Sequence, residues 1–173
     1  MAGKPVKKKP IAIPTFETAS AQASIPLSGG KGAIAGAYRT RVVAAAGYAF
    51  THSIDLDGHF QPDEPNSPRW DYGVGIKSGN GAELAFWVEP HPASSTGEVQ
   101  KMLDKLNWLK AKLKTKEFSE FKALCDAAAQ NRVIPYRWQT SEDGVIRITS
   151  KSKEARLLAL NGLAMPSRHI TLP

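Results

Sequence analysis

Cysteine is almost absent from this sequence, and so are long hydrophobic runs. The only cysteine among the 173 residues, Cys125, cannot form an internal disulfide, which favours a reducing compartment such as the cytoplasm. No stretch approaches the roughly 20 consecutive apolar residues that span a bilayer. The lysine-rich N-terminus lacks the apolar segment that follows the basic residues of a signal peptide. We therefore expect a cytoplasmic protein without a membrane partner, and we expect Cys125 to lie in the core.

Two segments contain ligand-type residues but do not match the motifs they suggest. Residues 28–32 are glycine-rich around Lys31, yet their order and spacing differ from those of a P-loop. Residues 55–64 have neither the glycine at the sixth position nor the distal glutamate at the twelfth that an EF-hand requires. They nevertheless contain several possible metal ligands, namely Asp55, Asp57, His59, Asp63 and Glu64. A polar turn is expected there, although one of these acids could join a site built from neighbouring strands.

Positive charge is concentrated at the N-terminus. The formal net charge is +7, and it falls to +3 without the first four lysines, Lys4, Lys7, Lys8 and Lys9. Residues 1–29 show no sustained hydrophobic period and are predicted to form a flexible basic arm, followed by a single α/β domain over residues 30–173. Lys7, Lys8 and Lys9 could contact nucleic-acid phosphates without sequence preference, or the arm could serve only to keep the chain soluble.

An alanine-rich segment over residues 32–47 predicts the first helix of the domain. It contains Arg39 and Arg41, which could bind a phosphate backbone or could belong to a solvent-exposed helix face. A short strand over residues 50–56 and a proline-rich loop over residues 61–68 are predicted to follow.

Residues 70–91 predict a β-hairpin. Apolar residues alternate with polar or small ones in 70–77 and in 82–91, and residues 78–81 between them, Ser-Gly-Asn-Gly, are typical of a tight turn. The apolar positions are even-numbered on both strands. A three-residue loop over 79–81 therefore places Tyr72 opposite Val88.

The same register places Asp71 opposite Glu89, with their Cβ atoms about 5 Å apart. Two opposed carboxylates repel each other, so the pair is expected to have a compensating cation. A hard divalent ion such as Mg²⁺ could bind both through oxygen ligands, and Gly73 and Gly75 would leave this face open to a substrate. The alternative is a basic side chain: Lys77, Arg69 or another nearby lysine.

Further helices and strands are predicted after the hairpin. The ranges are about 95–114, 116–130 and 153–162 for helices, and 133–139 and 145–149 for strands. Ser95 and Glu98 would form a capping box at the start of the first of these helices, which also carries a lysine stripe of Lys101, Lys105 and Lys112. This order predicts an α/β fold in which helices flank a small mixed β-sheet.

In element order and acid placement the chain resembles the PD-(D/E)XK nuclease superfamily over roughly residues 32–140. In that superfamily an Asp on one strand and a Glu-x-Lys on the next bind metal, and a crossover helix follows. Asp71 would take the first position and Glu89, 18 residues later, the second, whereas His91 replaces the lysine. The resemblance implies a restriction-endonuclease-like core, bound Mg²⁺ or Mn²⁺, and a backbone metal contact from the carbonyl of Pro90.

The first functional hypothesis is a metal-dependent nuclease that hydrolyses DNA or RNA. Asp71 and Glu89 would hold the metal ion, which polarises the phosphate and lowers the pKa of a bound water. That water would be positioned or deprotonated by one of three side chains, His91, Lys101 or Lys105. Arg39, Arg41 and the basic arm would contact the nucleic-acid backbone.

The second hypothesis is a catalytically inactive nuclease-like module. It would bind nucleic acid or a protein partner within a larger complex. Its interface would use the tryptophans, if these are exposed: Trp70, Trp87, Trp108 and Trp138.

Overall fold

The computed structural model describes residues 13–173, and over this range the chain forms a mixed α/β fold. Its strands are β1 (Ser28–Gly29), β2 (Val42–Ala44), β3 (Tyr48–Asp55), β4 (Tyr72–Ser78), β5 (Glu83–Pro90), β6 (Tyr136–Gln139) and β7 (Ile170–Leu172). Its helices are α1 (Phe16–Ala23), α2 (Gly36–Arg39), α3 (Leu56–Phe60), α4 (Gly97–Leu113), α5 (Ser119–Gln130) and α6 (Lys153–Asn161). Over the same residues no helix combines the length and the apolarity that crossing a bilayer requires.

Five strands form the main sheet in the order β1-β3-β4-β5-β6. Neighbouring strands are antiparallel except for β5 and β6, which are parallel and are connected by a crossover containing α4 and α5. A separate two-stranded parallel sheet joins β2 to β7. The predicted class, a mixed sheet with flanking helices, is therefore confirmed at this level.

The hairpin of β4 and β5 has the predicted register. Tyr72 pairs with Val88, and the pairing continues in step to Lys77 opposite Glu83. The loop is closed by the amide of Gly81, which donates to the carbonyl of Ser78 at 2.6 Å. Alternation and turn residues alone were therefore sufficient to align the two strands.

Both faces of the sheet are buried. On one face Trp87 of β5 packs edge-on against Phe121 of α5, with ring centroids 5.6 Å apart, and Cys125 lies in the same cluster, as predicted. On the opposite face Phe86 packs with Ile170 of β7. The helices α1, α4 and α5 cover the first face, and the segment around β2 and β7 covers the second.

Gly73 and Gly75 lie directly beneath large side chains, so the prediction that they leave an open face is wrong. A Cβ placed on Gly73 would lie 2.7 Å from Cζ3 of Trp87 and 3.0 Å from Cγ1 of Ile54. A Cβ on Gly75 would lie 2.7 Å from the ring of Phe16. The missing side chains therefore make room for the core, not for a ligand.

Gly73→Ala is expected to lower the free energy of unfolding by about 1–3 kcal/mol, because the added methyl would overlap the Trp87 ring. Gly36→Ala is the matched control, since a Cβ there meets nothing within 4 Å. Its effect should stay within about 0.5 kcal/mol. Urea unfolding of the two variants measures the difference, and equal midpoints would contradict the packing described here.

The predicted boundary between a flexible arm and a domain at residue 30 is wrong, because α1 belongs to the core. Thr15 caps the helix by accepting from the amide of Thr18 at 3.1 Å. Phe16 and Ile25 are buried, and the ring of Phe16 lies 5.0 Å from that of Phe121. The domain therefore includes residues predicted to be irregular. Lys7, Lys8 and Lys9 lie outside the described residues.

The predicted helix over residues 32–47 is also wrong, since only Gly36–Arg39 is helical and Val42–Ala44 forms β2. The β-branched Val42 pairs instead with Ile170, a partner far away in the sequence. The predicted strand over residues 145–149 is reduced to an isolated bridge between Ile146 and Ala93.

Candidate active site

Three charged side chains meet where β4 begins and β5 ends. Asp71 immediately precedes β4, Glu89 lies near the end of β5, and Lys105 projects from the middle of α4. The ammonium of Lys105 donates to Oδ1 of Asp71 at 3.2 Å and also to Oε1 of Glu89. The backbone amide of Asp71 donates to Oε2 of Glu89 at 2.8 Å. The predicted carboxylate pair is therefore present, and its basic partner is a lysine of the following helix.

Burial governs the electrostatics of this cluster. Glu89 is fully buried, while the side chains of Asp71 and Lys105 are 25% and 20% exposed. Burial and the negative charge of Asp71 raise the pKa of Glu89 well above its usual range, despite the opposing effect of Lys105. Burial likewise raises the pKa of Asp71. With all three groups ionised the cluster keeps one uncompensated negative charge.

Lys105 remains protonated in this setting. Burial alone would lower its pKa, but the charges of Glu89 and Asp71 outweigh that effect, so the pKa of Lys105 is raised. A protonated lysine carries a positive charge and donates hydrogen bonds, and it cannot accept a proton at neutral pH.

A loop fixes the backbone of Asp71. The carbonyl of Asp71 accepts from the amide of Leu56, the first residue of α3, at 2.7 Å. In the same loop Arg69 pairs with Asp57 at 2.8 Å, and the negative charge of Asp57 contributes to the raised pKa of Asp71. The acids of residues 55–64 thus border the site without reaching Glu89.

Glu64 anchors the loop to α4, a role that the sequence analysis missed. Its Oε2 accepts from Nε1 of Trp108 at 2.7 Å, and its Oε1 accepts from Lys112. Its carbonyl accepts from Nη1 of Arg69 at 2.5 Å. The hydrogen bonds from Lys112 and then from Trp108 lower the pKa of the Glu64 carboxyl. Glu64 lies in a proline-rich loop, and no sequence motif there indicates such an anchor.

His91 lies beside this site but belongs to a second cluster. Its Nε2 lies 2.7 Å from Oε2 of Glu98, and Lys101 donates to the other oxygen of Glu98 at 3.2 Å. Hydrogen bonds from His91 and then Lys101 lower the pKa of Glu98. The predicted capping box of Ser95 and Glu98 does not form, because the N-cap of α4 is Thr96 and not Ser95. Lys101 is exposed and does not contact the carboxylate pair.

The two predicted arginines are not brought to this cluster, whereas Pro90 adjoins it. Arg41 is buried and its guanidinium donates to three carbonyls, those of Ala37, Thr140 and Arg168, so it is not available to a phosphate. Arg39 is exposed, but it donates to the carbonyls of Ile34 and Gly32. Pro90 ends β5 opposite Gln139, adjacent to Glu89. Both arginines therefore have structural roles.

The donor set suits Mg²⁺ better than an ion that needs a protein cage. Over residues 13–173 no group of three His, Cys, Asp or Glu side chains could hold a metal ion. Mg²⁺ usually keeps several waters and binds through one or two carboxylates together with substrate phosphates. When both are ionised, Asp71 and Glu89 supply two carboxylates and an excess negative charge, which fits that requirement.

The support expected from exposed tryptophans is not found. Trp70, Trp87 and Trp138 are buried, and Trp108 is bonded to Glu64. A cleft of about 610 Å³ lies beside Asp55 and His59, and another of about 570 Å³ lies between α5 and α6. Asp71, Glu89 and Lys105 line neither of them.

Comparisons of the chain with models of protein families, with curated proteins and with solved structures find no match.

Proposed function

We propose that the protein is a divalent-metal-dependent nuclease whose site is formed by Asp71, Glu89 and Lys105. The observation that carries this proposal is the bonding of one lysine to both carboxylates of the hairpin. A structural ion pair would need one carboxylate for one lysine. Here a second, fully buried carboxylate is retained at a cost in stability, which favours a functional reason for keeping it.

The order of elements supports a restriction-endonuclease-like core. A helix, α1, precedes three antiparallel strands, β3, β4 and β5, and a helical crossover then leads to the parallel strand β6. Asp71 at the start of β4 and Glu89 on the adjacent strand β5 match the acid placement of the PD-(D/E)XK superfamily. Lys105 takes the place of the missing lysine from a helix, so His91 is not needed in that role.

Each residue of the site has a distinct part in the proposed reaction. Asp71 and Glu89, with the carbonyl of Pro90, would hold Mg²⁺ or Mn²⁺. When bound, the ion would polarise the scissile phosphate and lower the pKa of a water molecule. Lys105, being protonated, would orient that water and stabilise negative charge on the phosphate, and it would not act as the base. DNA or RNA would be the substrate.

Metal binding is expected to depend on the carboxylate of Glu89 in particular, and not on every buried carboxylate. Calorimetric titration with Mg²⁺ and with Mn²⁺ should give micromolar-to-millimolar affinity for the wild type, weakened at least about tenfold in Glu89→Gln. Affinity should increase with pH, because the proton favoured by the raised pKa of Glu89 must leave before the ion binds.

Glu83→Gln is the matched control for this titration. Glu83 lies on the same strand and the same face as Glu89 and is also buried, but it accepts from the amide of Phe16 at 2.9 Å and from Thr51. The Glu83→Gln variant should bind metal with the affinity of the wild type. Absence of binding with both ions, or equal binding by Glu89→Gln, would refute the proposed metal site.

A second candidate function is a nuclease-like module without catalytic activity, bound to nucleic acid or to a protein. The specific observation in its favour is that Lys105 occupies the position between the two carboxylates, with neither of the two clefts described above opening onto them. This candidate predicts that no metal binds, and the same titration separates the two functions.

A further inference from the structure

A groove of about 570 Å³ lies between α6 and the C-terminal end of α5, next to the N-terminal end of β6. Ile134 and Leu160 line its apolar walls, and Tyr136 and Cys125 also line it. Lys110 of α4 closes one end by donating to the carbonyl of Asn161 at 2.7 Å. Glu89 pairs with Trp138 towards the other end of β6, and neither Glu89 nor Asp71 lines the groove, so the groove is separate from the proposed nuclease site.

Leu160 and Ile134 expose large apolar surfaces in the groove. Leu160 is 85% exposed and Ile134 is 42% exposed, while Leu158 on the same helix is fully buried. Leu158 thus packs the buried side of α6 against the core, whereas Leu160 does not contribute to the core. Adjacent apolar side chains exposed at a concave surface are typical of a binding site.

Arg132 is held at this groove in a backbone conformation that favours glycine. It follows the cap of α5, with φ of 59°, and its amide donates to the carbonyl of Ala129 while Val133 donates to that of Ala128. This is the Schellman arrangement, whose left-handed position is usually glycine. Within residues 13–173 the guanidinium of Arg132 has no hydrogen bond or ion pair. The strain is therefore retained with no structural contact in return.

Positive charge dominates the surroundings. Lys110 and Arg132 line the groove, and Lys114 and Lys122 line the adjoining cleft. Among the described residues that line these two clefts, Asp126 has the one carboxylate, and it is already paired with Lys122 at 2.5 Å. A second copy of the same face would bring like charges together, so an isologous dimer through this surface is disfavoured.

We infer that this groove docks an acidic, amphipathic segment of a partner protein. An apolar side chain of that segment would pack between Ile134 and Leu160, and a carboxylate beside it would pair with the free guanidinium of Arg132. The apolar walls favour a peptide over a nucleic-acid backbone, which would contact the cations and leave Leu160 in water. The inference does not depend on the nuclease proposal.

The test uses a synthetic helical peptide of about 15 residues with leucines four apart and flanking glutamates. Fluorescence anisotropy with the labelled peptide should show saturable, micromolar binding to the full chain. Arg132→Gly and Leu160→Ser should each weaken it at least about fivefold. Leu157→Ser is the matched control, since Leu157 is 40% exposed on the same helix but does not line the groove.

Arg132→Gly also separates a binding role from a structural one. Because glycine relieves the left-handed backbone, the variant should melt at the same temperature as the wild type or higher, while losing affinity for the peptide. The inference is overturned if the acidic peptide does not bind, or if Arg132→Gly and Leu160→Ser bind it as the wild type does. It is also overturned if a version with lysines for glutamates binds equally well, or if a single-stranded oligonucleotide displaces the peptide.

Discussion

Lys105→Met is expected to lower the free energy of unfolding by about 3–5 kcal/mol at about pH 8, because it leaves two adjacent carboxylates, one of them fully buried, without a cation. Methionine keeps the length and the apolar stem of the lysine, so the loss reports charge more than packing. Urea unfolding of wild type and variant, compared at each pH, measures the difference.

The difference in free energy of unfolding between the wild type and Lys105→Met should become smaller as the pH falls. The pKa of Glu89 is raised in the folded state, and removal of Lys105 removes an effect that lowers it, so it rises further. A carboxyl with a raised folded pKa favours folding below its unfolded pKa, and that contribution is lost as the pH rises through the folded pKa. The variant should therefore approach the wild type near about pH 5 and fall behind towards about pH 8.

Lys112→Met is the control for that series. Lys112 lies two turns further along α4 and pairs with the partly exposed Glu64. Its loss should cost no more than about 1 kcal/mol. Since the pKa of Glu64 is lowered, its titration lies below the range compared, and the cost should stay constant between about pH 5 and about pH 8. A pH-independent deficit in Lys105→Met would show that Glu89 is not the group responsible.

Divalent ions add a second measurement to the same variant. If Asp71 and Glu89 bind metal, Mn²⁺ can supply the positive charge that Lys105 no longer provides. The melting temperature of Lys105→Met should then rise with Mn²⁺ concentration, and that of Lys112→Met should not.

Asp71→Asn and Glu89→Gln are each expected to reduce metal-dependent cleavage of nucleic acid by about 100-fold or more, because each removes a carboxylate from the proposed metal site. Single- and double-stranded DNA and RNA, incubated with Mg²⁺ or Mn²⁺, are the substrates to assay by gel. Glu83→Gln should keep the wild-type rate, which separates loss of a ligand from loss of a buried acid.

Stability should not follow activity in Glu89→Gln. The substitution removes a buried negative charge and its repulsion with Asp71, and it leaves Lys105 paired one-to-one with Asp71. Against this, one of the two acceptor oxygens of Glu89 becomes a donor group. The free energy of unfolding should change by less than about 1 kcal/mol.

In the cleavage assay, a wild type that binds metal but does not cleave nucleic acid would contradict the nuclease proposal and would leave the proposed metal site intact.

Local pattern was sufficient wherever structure depends on neighbours in sequence. The hairpin register followed from alternation and from the Gly79–Gly81 loop, and the helix from Gly97 to Leu113 followed from its apolar period. The opposition of Asp71 and Glu89 came from the same register. These features require no knowledge of the rest of the chain.

Features that depend on distant partners could not be derived in this way. Nothing near Val42 indicates that it pairs with Ile170 in place of continuing a helix. Lys105 was one of several lysines on α4, and only the packing of that helix over β5 selects it as the partner of Glu89. His91 was favoured because it follows Glu89 on the same strand face, whereas Glu98 engages it instead.

The pairing of β2 with β7 makes the two halves of the chain interdependent. Arg41 adds a second contact between these distant segments, because its guanidinium donates to the carbonyl of Arg168, 127 residues later in the sequence. Closing a loop of that length costs conformational entropy before its contacts form, so we expect the second face of the sheet to form late in folding. Damage near either end, such as a proteolytic cut, would release the other end as well and expose the apolar surface between them.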